Sequence, residues 1–133
     1  MDYEKALEEV EKALVELIAE NRAVPVIVEG KKDILALRKL GLTGEIIRYN
    51  RGMGISDFCD MIVANYTHVI ILTDWDRKGG MLCRKITQNL ESRVHCNTLY
   101  REIFSRHSMI RTVEGLPSWL ETLKYKKPSS DQL

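Results

Sequence analysis

Three acidic residues stand where buried strands are predicted to end, and their types and spacing suit the binding of a metal ion. Glu29 follows the apolar residues 24–28. Asp74 and Asp76 follow a second apolar run, residues 68–72. Alternate residues of an extended segment point the same way, so the two aspartates are expected to project together with Cβ atoms roughly 6–7 Å apart.

Carboxylates gathered at one place repel each other unless a proton or a cation offsets their charge. Two unit charges ~5 Å apart repel by about 3 kcal/mol at an effective dielectric constant near 20. Hard oxygen ligands suit Mg²⁺, which needs few carboxylates because it keeps several waters, and Mn²⁺ can take its place. We therefore predict one Mg²⁺ site formed by Glu29, Asp74 and Asp76. Trp75, between the aspartates, is expected to point to the other side and stiffen the turn.

Glycines and basic residues beside these acids favour phosphate as the group that is bound. Gly30 and the pair Gly79 and Gly80 allow backbone amides to approach a ligand closely, next to predicted helix N-termini. Basic side chains of the same loops can neutralise a nucleic-acid backbone. The predicted phosphate-binding residues are Gly30, Lys31, Lys32, Arg51, Arg77, Lys78 and Gly79.

Alternating strands and helices position these residues. Apolar residues at steps of three and four predict helices, and short β-branched apolar runs predict buried strands. The predicted helices span 3–21, 32–40, 57–64 and 80 to about 90, and the predicted strands span 24–28, 45–49, 68–72 and 93–99. This alternation is typical of the α/β class, with a mostly parallel sheet of about four strands and helices on both faces. Ligands of such sheets bind outside the carboxyl ends of the strands.

The remaining features concern domain organisation and cellular environment. The chain has 133 residues, 44% of them hydrophobic and 29% charged, which is typical of one soluble globular domain. We predict a single domain over 1–125, with a core of about 23–99, a largely helical segment 101–125 and a flexible tail 126–133. No apolar run reaches the ~20 residues that span a bilayer, and the N-terminus does not resemble a signal peptide. We expect a cytoplasmic protein without a membrane partner.

Cysteine content and charge add two further expectations. The three cysteines form no CxxC pair, so reduced core residues are expected rather than a disulfide framework or a zinc site. The net charge is +1, and residues 1–22 hold seven acids and three bases. The remainder therefore carries an excess of basic residues, which permits an anionic partner. The oligomeric state is left open.

The two acidic motifs together resemble the Toprim domain of type IA topoisomerases, bacterial primases and some ribosomal-RNA maturation nucleases. That family has a glutamate after its first core strand and a DxD motif after a later one. Residues 26–33, Val-Ile-Val-Glu-Gly-Lys-Lys-Asp, match the first motif, and residues 70–79 match the second, including the glycine after DxD. The similarity is greatest to short stand-alone Toprim proteins, sometimes called small primase-like, and spans about 23–99.

The resemblance implies a function for each acid. Asp74 and Asp76 would bind Mg²⁺, and Glu29 would act as general acid/base or join the metal shell. The implied chemistry is phosphodiester cleavage, transfer or rejoining on nucleic acid, with RNA favoured over DNA. We expect an RNA-processing nuclease or a primase-like protein. The alternative is a Toprim module that binds nucleic acid or protein without turnover.

Position 80 departs from the pattern of that family, whereas Glu114 agrees with a pattern found in part of it. Many topoisomerases and maturation nucleases have an acid where Gly80 stands, so a full two-metal site is less strongly implied. Residues 111–115, Arg-Thr-Val-Glu-Gly, are similar to a Val-Glu step of the maturation nucleases. Glu114 either belongs to the site on this basis or caps or solvates a C-terminal helix. An aspartyl phosphatase is disfavoured, because in that family the DxD motif lies on an early strand and a threonine follows the glycine. Here the motif ends the third predicted strand, and no threonine follows.

Overall fold

A parallel sheet of four strands lies at the centre of the part of the chain that this computed structural model describes, residues 2–49 and 52–131. The strands are β1 (Val26–Val28), β2 (Ile46–Arg48), β3 (His68–Ile71) and β4 (His95–Asn97). Their order across the sheet is β2-β1-β3-β4, and every neighbouring pair is parallel. The predicted α/β class with a parallel sheet of about four strands is confirmed, with strands somewhat shorter than expected.

Helices cover both faces of this sheet. They are α1 (Tyr3–Asn21), α2 (Lys31–Leu40), α3 (Ile55–Asn65), α4 (Arg77–Leu90), α5 (Leu99–His107) and α6 (Leu116–Asp131). Because successive strand residues point to opposite faces, Val26 and Val28 pack in the core under α1, α2, α5 and α6. Ile27 packs in the core under α3 and α4. Among the described residues, no helix is both long and apolar enough to cross a membrane.

Local interactions fix the ends of two helices at the predicted places. Asp2 precedes α1, and its Oδ1 accepts a hydrogen bond from Lys5 N at 3.0 Å, which satisfies one of the free amides of the first turn. Gly41 ends α2 with φ +109°, a left-handed conformation that glycine adopts without strain. The backbone of α6 continues through residues 126–131, where an irregular tail was expected. Residues 132–133 lie outside the described ranges, so flexibility of the tail stays a prediction.

The cysteines lie in or beside the core on the α3 and α4 side. Cys59 and Cys83 are buried, Cys96 is partly buried, and all three are free. Burial raises the pKa of each thiol, and that of Cys96 rises to about 11. These thiols therefore stay protonated and behave as small apolar core residues, as predicted.

The strand order creates a crevice between the ends of two central strands. From β1 the chain passes through α2 to β2, and from β3 it passes through α4 to β4, so the two connections leave in opposite directions. In open α/β sheets such a switch point is where ligands bind. Glu29 directly follows β1, and Asp74 follows β3 by three residues. The fold therefore brings the two predicted motifs to the same crevice.

Candidate metal and phosphate site

A direct hydrogen bond joins the two acidic motifs. Glu29 Oε2 accepts from Asp74 N at 2.7 Å, although the residues are 45 positions apart in the chain. Both residues are partly buried. The bond ties the turn after β1 to the turn after β3 and leaves the other glutamate oxygen, Oε1, available.

Asp74 is the carboxylate most affected by its surroundings. Its Oδ1 accepts from Val113 N at 2.8 Å. The pKa of Asp74 is raised to about 6, chiefly by burial and also by the negative charges of Glu29, Asp76 and Glu114, while the hydrogen bond from Val113 N partly opposes the rise. A cation at this place would offset both the burial and the like-charge repulsion.

Asp76 has a structural role at the start of α4. It is the N-cap residue, and its Oδ1 accepts from Gly79 N at 2.7 Å. A Cβ on Gly79 would overlap the carbonyl oxygen of Asp74. Gly79 therefore allows helix α4 to approach the Asp74 backbone closely, and its amide is already used by a carboxylate of the protein.

The glycine amides that were predicted to approach phosphate have hydrogen-bond partners inside the protein. Gly30 N donates to Asp33 Oδ2 at 3.0 Å, and Gly80 N donates to Asp76 O at 2.9 Å within α4. Gly79 N is engaged as described above. Because these amides have partners inside the protein, phosphate would have to be held by the basic side chains instead.

Arg101 ties down the backbone of the DxD turn. Its Nε donates to Thr73 O at 3.1 Å and to Thr73 Oγ1 at 3.2 Å, and its Nη2 donates to Asp74 O at 2.7 Å. Thr73 is buried, and its hydroxyl donates to Gly79 O at 2.8 Å. The guanidinium on α5 thus fixes carbonyl groups that would otherwise lack partners next to the acids.

The segment between α5 and α6 holds the opposite side of the same turn. Trp75 N donates to Arg111 O at 2.9 Å, and the indole Nε1 donates to Ile110 O at 2.6 Å. The indole ring packs against Phe104 with centroids 5.7 Å apart. The prediction that Trp75 points away from the aspartates and stiffens the turn is confirmed.

An open groove of about 560 Å³ runs beside these carboxylates. Acidic residues on its walls are Glu29, Asp33, Asp74 and Glu114, and basic residues are Lys31, Lys32 and Arg48. Glu114 therefore lines the same groove as Glu29 and Asp74. Asp76 is outside the groove lining but close enough for its charge to act on Asp74.

The predicted basic phosphate ligands are exposed residues of first helical turns, or lie outside the described ranges. Arg77 and Lys78 are exposed in the first turn of α4. Lys78 shares a smaller pocket with Glu29. Lys31 and Lys32 are exposed in the first turn of α2. Arg51 lies outside the described residues.

The carboxylates present fit one Mg²⁺ ion that keeps several waters. Within residues 2–49 and 52–131, no group of three acidic, histidine or cysteine side chains is arranged so that it could by itself hold a metal ion. The second oxygens of Glu29, Asp74 and Asp76 make no hydrogen bond to any residue that the structure describes. Mg²⁺ needs only one or two carboxylates together with waters, so the donor chemistry of these carboxylates fits it.

Three further residues of the site carry weaker signals in the sequence. Asp33 is 7% exposed, and burial first, then the charge of Asp74, raise its pKa. Its spacing of three from Gly30 is that of a capping box, a signal that could have identified it. Arg48 and Arg101 carry no local signal, because only the sheet order and the packing of α5 bring them to the acids.

Comparisons with known proteins agree with this geometry. The family model for the Toprim domain matches residues 24–106. A UPF0292 protein of Thermoplasma volcanium is 43% identical over 76% of this chain and 86% of that protein. A UPF0292 protein of Methanocaldococcus jannaschii is 37% identical over 89% and 91% of the two chains. A solved structure of a protein from Aquifex aeolicus superposes with a TM-score of 0.68 at 27% identity, covering 78% of this chain and 94% of that one.

The chain belongs to the Toprim family, because the family model covers more than half of it. It is also a close relative of the UPF0292 proteins. Membership of the Toprim family indicates a metal-dependent function related to nucleic acid. The predicted link to ribosomal-RNA maturation nucleases is a finer statement that these matches do not address.

Proposed function

We propose that this protein catalyses Mg²⁺-dependent phosphodiester chemistry on nucleic acid, as an RNA-processing nuclease or primase-like enzyme. The observation that carries the proposal is the 2.7 Å hydrogen bond from Asp74 N to Glu29 Oε2. It joins the two motifs at the switch point of the sheet, beside a groove that Glu29, Asp74 and basic side chains line.

The proposed roles follow from which oxygens are engaged. Asp74 and Asp76 would hold Mg²⁺ through their second oxygens, because Oδ1 of each is bonded to a backbone amide. When bound, the ion supplies positive charge to the phosphate and lowers the pKa of a bound water. Glu29 has one oxygen fixed on Asp74 N, and its Oε1 would take the proton of the attacking hydroxyl or water.

Basic side chains would hold the phosphates on either side of the reacting group. Lys31 and Lys32 from α2 and Arg48 from β2 line the groove. Arg77 and Lys78 are exposed in the first turn of α4. Since a backbone phosphate contact depends on charge and not on sequence, these residues would contribute affinity without base preference.

RNA is the preferred substrate in this proposal. Glu114 lies in the groove with Glu29 and Asp74, and its Val-Glu step is the feature that resembles the ribosomal-RNA maturation nucleases. One metal ion is proposed rather than two. The chain has Gly80 where many topoisomerases and maturation nucleases carry an acid, and a Cβ there would lie 3.5 Å from Arg101 Nη2, so a cation occupies the vicinity of that position.

The test is a cleavage assay with labelled structured RNA and single-stranded DNA, in Mg²⁺ or in EDTA. Cleavage that needs Mg²⁺ and is lost in both Asp74→Asn and Glu29→Gln is the expected result. Asp60→Asn is the matched control, because Asp60 is an exposed acid on α3 that pairs with Arg93. It should cleave like the wild type.

A non-catalytic module is the second candidate, and the glycine at position 80 is the observation that favours it. Such a module would bind the same nucleic acids tightly, leave them intact, and be unaffected by EDTA. Tight binding without cleavage in any divalent metal would overturn the proposed enzyme and support the module.

A further inference from the structure

A small, largely apolar pocket adjoins the groove at Glu29. Its volume is about 220 Å³, and it is lined by Glu29, Tyr49, Ile55, Lys78, Met81, Leu82 and Lys85. Pockets that take drug-sized ligands measure about 300–1,000 Å³, so this one suits a single flat ring system rather than a peptide segment. Glu29 and Tyr49 line both the pocket and the groove, so the two are continuous at the candidate site.

The aromatic wall of the pocket is held in place from behind. Tyr49 packs edge-on against Phe58, with ring centroids 5.1 Å apart and planes at 89°. Its hydroxyl donates to Met53 O at 3.3 Å. A wall fixed in this way loses little conformational entropy when a ligand contacts it.

The α4 wall presents one apolar side chain between two cations. Lys78, Met81 and Lys85 are three and four residues apart, so they share one face of the helix. Both lysines are exposed, and Met81 is 45% exposed. An apolar centre flanked by positive charge matches a base flanked by its two phosphates.

We propose that this pocket holds one unpaired base of a single-stranded segment, next to the phosphate that lies at the acidic site. The inference rests on the proposed function, because Glu29 is what places the pocket beside the reacting group. The base would contact Tyr49 and Met81, and the lysines would hold the flanking phosphates. A base inside a duplex is stacked and paired and cannot enter a pocket without being extruded, so the protein selects unpaired nucleotides.

Fluorescence anisotropy with a labelled ten-nucleotide single-stranded RNA tests this inference. Ca²⁺ replaces Mg²⁺ so that binding is measured without turnover. The comparison strands are the same RNA as a duplex and a strand of equal length with abasic residues, which keeps the phosphates. Base stacking on a protein side chain contributes roughly 1–3 kcal/mol, so the abasic strand is expected to bind about 5- to 150-fold more weakly.

Met81→Ala should remove most of this preference for bases over abasic residues. Leu35→Ala is the matched control: Leu35 is the fifth residue of α2, as Met81 is of α4, and it is 66% exposed. It should keep the wild-type ratio, and Met81→Leu should restore it. A ratio in Met81→Ala equal to that of Leu35→Ala, with both proteins folded by circular dichroism, would overturn the inference.

Mn²⁺ binding and RNA cleavage, measured on the same proteins, separate this inference from the proposed function. Met81→Ala should bind Mn²⁺ like the wild type, because Met81 is not among the acids. A wild type that distinguishes bases but never cleaves overturns the enzyme and supports the base pocket. A wild type that cleaves single-stranded and abasic strands equally well supports the enzyme and overturns the base pocket.

Discussion

The two walls of the groove are built differently. The β3 wall, residues 73–79, is tied to α5, to the segment before α6 and to its own helix by hydrogen bonds of 2.6–3.2 Å. On the opposite wall, Gly30 N donates to Asp33 Oδ2 at 3.0 Å. The other functional groups of that wall are the exposed side chains of Lys31, Lys32 and Arg48.

This difference matches what each wall would have to do. Metal ligands must be held close to their final geometry before the ion arrives, since loose ligands forfeit affinity. Phosphates along a flexible strand can be met by long cationic side chains that adjust to them. We therefore predict that changes on the β3 wall alter stability and metal affinity together. Changes on the other wall should alter nucleic-acid binding alone.

Gly79→Ala should give the largest effect. An added Cβ would overlap the Asp74 carbonyl oxygen, so the turn must move, at a cost of at least about 2 kcal/mol. We expect the Tm to fall by about 5–10 °C in a thermal melt and metal affinity to fall with it.

Gly80→Ala is the neighbouring control for that substitution. The nearest atom to its added Cβ is Arg101 Nη2, at 3.5 Å, and alanine gains roughly 0.5–1 kcal/mol over glycine inside a helix. Its Tm should be unchanged or higher. Equal losses in the two variants would mean that Gly79 does not set the Asp74 turn.

Arg101→Leu should come next. It leaves the carbonyls of Thr73 and Asp74 without their donor, which costs about 1–3 kcal/mol for buried polar groups. Metal affinity should fall roughly 10- to 100-fold, as for other residues that position metal ligands. Urea unfolding and Mn²⁺ titration measure the two effects. Arg84→Leu, an exposed arginine of α4, should change neither quantity.

The pH dependence of stability is the third test. The pKa of Asp74 is raised from 3.8 to about 6 in the folded protein. The folded state therefore holds the proton of Asp74 more tightly than the unfolded state does. The contribution of Asp74 to the free energy of unfolding is highest below pH ~4 and falls as the pH rises to about 6. Allowing for solvent screening at a partly exposed group, the loss is about 1–2 kcal/mol.

Asp74→Asn isolates that effect, because asparagine has no charge to bury. In EDTA, the free energy of unfolding of the variant relative to that of the wild type should rise by about 1–2 kcal/mol between pH 4 and pH 7, as measured by urea unfolding. Mg²⁺ at pH 7 should reduce the difference by stabilising only the wild type. A difference in the free energy of unfolding that stays constant with pH would show that burial and neighbouring charge do not raise the pKa of Asp74.

Lys31→Ala and Lys32→Ala should have the smallest effect on the fold. Both side chains are exposed, so the Tm should stay within about 2 °C. Affinity for RNA should fall, and the slope of log affinity against log salt should decrease by roughly one for each phosphate that the variant no longer binds. Lys12→Ala on α1 is the control. An unchanged salt slope in the α2 variants would remove these lysines from the phosphate path.

The fold and the acidic motifs were predictable because their signals are local. Buried β-branched runs marked β1 and β3, and parallel strands of an α/β sheet bring their carboxyl ends together. Glu29 and Asp74 therefore meet, as their hydrogen bond shows. The common direction of the two aspartates, and the packing of Trp75 on the side away from them, followed from strand geometry.

The supports of the site were not predictable in the same way. Arg101 lies 27 residues after Asp74, and only the packing of α5 brings the two together. The amides of Gly30 and Gly79 were expected to meet phosphate, but capping carboxylates within the first helical turns take them instead. The same short spacing fits either use, so the sequence alone did not distinguish a ligand cradle from a helix cap.

Titration with Mn²⁺ tests the central claim, that Glu29, Asp74 and Asp76 form a divalent-metal site, most directly. Electron paramagnetic resonance counts free Mn²⁺ against the wild type, Asp74→Asn and the control Asp60→Asn at pH 7.5. We predict one bound ion in the wild type and the control, competed by Mg²⁺, and binding weakened at least about 100-fold in Asp74→Asn. Equal binding in all three proteins, or none in the wild type, would contradict the claim.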